Sequence, residues 1–93
     1  MIRTIVFKDV SRKGGKIKVD LNMAFISAKD VMKQAVKKVI EKDRLSDIDY
    51  YLVEQTDEHT LKELYENDDY LLVDLTDLGY TQYLINLSKV AIV

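Results

Sequence analysis

The 93 residues include one histidine and no cysteine, which narrows the chemistry they could perform. His59 stands in the polar run Asp57-Glu58-His59-Thr60. Nucleophilic catalysis of the Ser-His-acid kind needs a histidine that reaches both partners, and a solitary histidine in a polar turn is expected to be solvated. Gly14-Gly15-Lys16 joins glycines to a lysine as phosphate loops do. However, the first glycine of G-x-x-x-x-G-K-[ST] is missing, Ile17 stands where a hydroxyl is needed, and a strand follows where a helix should begin. Glu66, Asp68 and Asp69 could face a hard cation but lack the D-x-D-x-D-G spacing that wraps calcium. Without cysteine there is neither a thiolate metal site nor a disulfide framework. The expectation is a non-enzyme with no cofactor and no metal.

What remains is charge. Residues 1–45 carry twelve Lys and Arg against five Asp and Glu, and residues 46–93 carry two against eleven, so balances of +7 and −9 lie behind a net charge of −2. Either the two halves neutralise each other in the fold, or the first half addresses an acidic or polyanionic partner.

The elements that must hold these charges follow from periodicity. Residues 2–10 are rich in β-branched and aromatic types. In residues 16–23, Ile17, Val19, Leu21 and Met23 alternate with polar residues, the pattern of a half-buried strand. Ser11-Arg12-Lys13-Gly14-Gly15 between them supplies a glycine pair for a hairpin turn. Ser27 followed by Asp30 is a capping-box variant that starts a helix. Ala28, Val31, Met32, Ala35, Val36, Val39 and Ile40 then recur at three and four residue steps and form one apolar stripe. Asp49 to Glu54 reads as a third strand, Thr60-Leu61-Lys62-Glu63 as a short fourth one, and residues 81–87 as the last. Tyr70-Leu71-Leu72-Val73 is too short to separate strand from helical turn. The expected fold is α+β: a β-grasp with a mixed sheet of about five strands crossed by one main helix, with Leu21, Val31, Ala35 and Val39 in its core.

On this frame Lys16 and Lys18 point away from the helix-facing side of their strand. Lys38 and Lys42 border the helical stripe, whereas Lys29, Lys33 and Lys37 run down its other side. Arg3 and Lys8 are an odd number apart, so without a bulge they occupy opposite faces of the first strand.

Within the ubiquitin-like superfold, the chain resembles a Ras-association (Ras-binding) domain of an effector over about residues 2–87. The similar pieces are the basic hairpin R-K-G-G-K-I-K-V, the helix V-M-K-Q-A-V-K-K, the segment D-I-D-Y-Y-L-V-E-Q and the closing Q-Y-L-I-N-L. The resemblance implies a small GTPase of the Ras/Rap family, in its GTP-bound form, as partner. It further implies pairing along the second-strand edge and lysines that meet the acidic effector loop. By position, Lys18 takes the second-strand role, Lys38 the helix role and Arg3 the first-strand role, with Lys8 as the other choice. Lys16, Lys37 and Lys42 complete the basic patch. Two other classes compete. A PB1-like domain would self-assemble front to back through the two charge halves, although Glu66-Asn67-Asp68-Asp69 lacks the longer acidic pattern of such loops. A FERM-lobe-like module would set the same lysines on an anionic membrane surface. Nucleic acid is not expected, because no aromatic platform lies among the lysines.

The length allows one domain, and such a small chain needs a continuous apolar core. With 47% hydrophobic and 32% charged residues and no long apolar run, a cytoplasmic chain is expected, recruited to the inner face of a membrane by its partner. It is expected to be monomeric in isolation. The apolar end Lys89-Val90-Ala91-Ile92-Val93 has no Gly-Gly tail, so no conjugated modifier is expected. That end either packs back on the sheet or marks excision from a larger protein.

Overall fold

The computed structural model describes residues 1–8, 15–24 and 27–93. Its elements are β1 (Ile2–Phe7), β2 (Lys16–Asp20), α1 (Ala28–Glu41), β3 (Tyr50–Leu52), α2 (Glu58–Tyr65), β4 (Tyr70–Asp74), β5 (Gln82–Asn86) and β6 (Val90–Ile92). Short 3-10 turns join several of them. The strands form two three-stranded sheets, ordered β2-β1-β6 and β3-β5-β4.

The first hairpin follows the alternation. β1 pairs antiparallel with β2, from Ile2 opposite Asp20 to Val6 opposite Lys16. β2 ends at Asp20, before the expected Met23. Most of the expected hairpin turn, residues 11–14, lies outside the described residues, as do the last two residues of the expected first strand, while the Gly15 carbonyl accepts the Phe7 amide at 2.8 Å. Helix α1 begins where the capping pattern puts it: the Asp30 amide donates to Ser27 Oγ, and Ser27 Oγ donates to the Asp30 carboxylate at 3.0 Å. Its other end closes on Asp43, which takes the left-handed conformation at φ 57. There the Asp43 amide bonds to the Ile40 carbonyl and the Arg44 amide to the Val39 carbonyl, a Schellman closure. That turn places the Arg44 guanidinium over the Phe7 ring, 5.1 Å from its centroid.

One core unites α1 with both sheets. Val31, Ala35, Val36 and Val39 of α1 pack with Ile5, Phe7, Val19 and Leu21 from the first sheet and with Val73, Tyr83 and Ile85 from the second. Tyr83 and Ile85 face this core, so Leu84 between them faces the opposite side. Leu84 is only 1% exposed. Helix α2 packs against β4 and buries Leu64 outside the main core, so the second sheet carries α1 on one face and α2 on the other.

Two expectations need correction, and one open segment is settled. Thr60-Leu61-Lys62-Glu63 is not a strand but the middle of α2, because Asp57 caps a helix there. Its carboxylate accepts the Thr60 amide at 3.0 Å and the Thr60 hydroxyl at 2.7 Å. The undecided Tyr70 segment is β4. Finally, the sheet is neither single nor mixed: every pairing among the described residues is antiparallel. The connections explain this. Only residues 75–81 separate β4 from β5, a length that favours a local antiparallel return, whereas parallel neighbours need a long crossover. Both edges of β5 are thereby taken by β3 and β4. The apolar end does pack back, as β6 antiparallel to β1, with Phe7 opposite Val90.

Candidate functional site

The register of β2 determines which of its groups are open. The Leu21 amide donates to Met1 O and the Phe7 amide to Gly15 O, so Gly15, Ile17, Val19 and Leu21 turn their backbone groups toward β1. Lys16, Lys18, Asp20 and Asn22 turn theirs the other way, to a side where β2 has no neighbouring strand among the described residues. Among the described residues, only Asn22 is satisfied there. Its amide donates to Gln34 Oε1 at 2.9 Å, and its carbonyl accepts from Gln34 Nε2 at 2.9 Å.

Helix α1 runs along this edge. A groove of about 380 Å³ is lined by Ile2, Lys18, Val19, Asp20, Lys38, Glu41 and Lys42. A second, of about 510 Å³, shares Asp20 and Lys38 and adds Met1, Leu21, Asn22, Gln34 and Lys37. The structure therefore brings together Lys18, Lys37, Lys38 and Lys42, which the sequence distributes over two elements. Lys37 falls on the other side of the stripe but only ~100° from Lys38 around the helix, within reach of a lysine stem. Lys16 is exposed on the same face of β2 as Lys18, while Lys8 is exposed just past β1 and lines neither groove.

Arg3 lies elsewhere. Its opposite residue is the buried Val19, so it shares the core-facing side of β1 with Ile5 and Phe7. Its Nε is buried without a hydrogen-bond partner. Of the two first-strand choices, Lys8 is the exposed one.

The groove is not uniformly basic. Glu41 Oε1 lies 3.3 Å from Lys37 Nζ and Glu41 Oε2 4.0 Å from Lys38 Nζ. Asp20 Oδ1 accepts from the terminal ammonium of Met1 at 2.6 Å, and this bond, with that charge, holds the Asp20 carboxyl below its usual range. Lys18 and Lys42 have no ion pair among the described residues. Sequence reasoning missed Gln34, Asp20 and Glu41 as parts of the site. A glutamine four residues before Lys38 was the only hint, and it carries no signal on its own.

The arrangement can accept an extended chain: open backbone groups form the line, with lysines on both sides of it. The residues that line the two grooves include no histidine, serine or threonine. Among the described residues no His, Asp or Glu cluster is placed to hold a metal ion. His59 only approaches Glu63, at 3.2 Å on the surface of α2. No described helix is long and apolar enough to cross a membrane. No family model, curated protein or solved structure matches the chain.

Proposed function

We propose that this domain is a non-catalytic binding module that recognises the GTP-bound form of a Ras-family small GTPase through the open edge of β2 and the lysines beside it. One observation supports the reading most. Lys18 on the edge strand and Lys38 and Lys42 on α1 line a single groove along backbone groups that no strand among the described residues occupies. Main-chain pairing gives such a complex its affinity, and the charges give it encounter rate and choice of partner. The reading takes the fold as a variant of the ubiquitin-like β-grasp. Its departures are β4 beside β5 in the second sheet and β6 antiparallel to β1 in the first, and neither covers the β2 edge that carries the groove. In this reading the chain works in the cytoplasm, and its partner recruits it to the inner face of a membrane.

Titration against GTP- and GDP-loaded Ras and Rap tests this. Binding should require GTP and weaken with salt. Reversing the charge of a lysine in the contact sets like charges together at a cost of several kcal/mol. At ~1.4 kcal/mol per tenfold this takes a micromolar complex out of range. Lys38→Glu should therefore abolish binding with an unchanged melting temperature, and Lys29→Glu should do little. Binding to anionic vesicles instead, with both variants equally impaired, would replace the GTPase by a lipid surface. Salt-sensitive oligomers dissolved by Lys18→Glu would point to PB1-like assembly.

A further inference from the structure

We infer that Gln34 is a built-in stop on the docking edge: its side-chain amide occupies the place of a partner residue opposite Asn22 and so sets where a segment added to β2 must end. The inference rests on the binding reading above and adds the register.

The geometry carries it. In an antiparallel ladder each outward residue exchanges an N–H and a C=O bond with one partner residue. At Asn22 both bonds are already made, by one side chain, at 2.9 Å each. The Asn22 side chain is also committed, since its Oδ1 accepts the Ala24 amide at 3.2 Å as the chain turns away. At Lys16, Lys18 and Asp20 the corresponding groups have no bond among the described residues. A docked segment thus has three pairing positions, and sliding it one step further must first break two hydrogen bonds.

The same helix that stops the segment also charges it. Gln34 and Lys38 are one helical step of four apart and line the same groove. With the end fixed at Asn22, the docked residue opposite Asp20 meets a carboxylate and is best neutral or basic, while the one opposite Lys18 is best acidic. A free edge without the stop would accept an acidic run in several registers, because a strand pattern repeats every two residues.

Amide exchange of the whole domain, read residue by residue by NMR, tests the stop. The free protein is measured first, then two probes: GTP-loaded Ras, and a synthetic peptide in which Val alternates with charged residues, Lys for the place opposite Asp20 and Glu for the places opposite Lys18 and Lys16, and which is long enough to span β2 and Met23. In the free wild type the Asn22 amide should be protected, and in Gln34→Ala it should exchange ~10-fold faster, with the Val39 and Ile85 amides unchanged as the sign of an intact fold. Gln34→Glu retains the acceptor for that amide and should retain the protection. Either probe should protect the Lys18 and Asp20 amides of the wild type, and in Gln34→Ala it should restore protection at Asn22. An Asn22 amide that exchanges equally in wild type and Gln34→Ala overturns the stop. So does a probe that leaves Asn22 unprotected in that variant while protecting Lys18. Failure of Ras alone, with the peptide bound in this register, removes the GTPase and leaves the stop standing. Failure of both probes removes the docking edge and the stop together.

Discussion

The basic edge and the acidic half of the molecule use their charges in different ways. In the second half many carboxylates serve the chain itself. Asp57 caps α2. Asp74 accepts from the Thr76 amide, the Thr76 hydroxyl and Gln82 Nε2 across the β4–β5 connection. Asp49 Oδ2 accepts from Asn86 Nδ2 at 2.9 Å, and Asp47 holds Arg44. On the β2 edge, Lys18 and Lys42 serve no such purpose. Charges that satisfy local backbone groups are accounted for by the fold, and charges left over beside an open strand edge are the ones the proposed binding would use.

The largest effect should come where the two regions share their core. Val39 is 1% exposed and touches both through α1. An unpaired carboxylate there costs several kcal/mol against a total of ~5 to 10, so Val39→Asp should be unfolded by circular dichroism at room temperature. A native melting curve would mean that the halves do not depend on one core.

Leu84→Ala sharpens the contrast on the acidic side. The residue is buried on the face of β5 opposite Tyr83 and Ile85, outside the main core. Truncating a buried leucine costs ~2 to 5 kcal/mol. Denaturant midpoints should fall accordingly, while the Lys38-dependent binding of the folded variant stays as in the wild type.

The smallest effect separates the charges directly. The bonds from Thr76 and Gln82 lower the Asp74 carboxyl to about 2, and those from Thr60 lower Asp57 below its usual value. A carboxyl whose folded pKa is depressed stabilises the fold above its unfolded value. That contribution fades as pH falls from near 3.8 toward 2. Melting temperature should therefore drop across that window, and the drop should be shallower in the Asp57→Asn, Asp74→Asn double variant. Lys18→Glu and Lys42→Glu should melt at neutral pH like the wild type. A large loss of melting temperature in either lysine variant would give those lysines a structural role and break the comparison.

Much of the site's scaffold could be read from the chain, because it rests on local patterns. The Ser27 cap, the α1 stripe, the alternation of β2 and the outward Lys18 each follow from a few neighbouring residues, and each is found in the structure. The convergence of Lys18 with Lys38 and Lys42 followed only in outline, since it depends on how α1 lies along an edge strand.

By itself, the sequence determined the helix with its N-cap and buried face, the first hairpin, the β5 strand and the separation of charge into halves. Each is a property of residues close together in the chain, where steric preference and apolar period act. The Asp57 cap that makes Glu58–Tyr65 helical is local as well, whereas tertiary structure alone decided that β4 takes an edge of β5, that Val90–Ile92 returns to β1, and that Arg3 turns inward. It also brought Gln34 to Asn22. These outcomes depend on which distant surface is available to bury an apolar side chain or satisfy a backbone group, and a short window of residues holds no record of that choice.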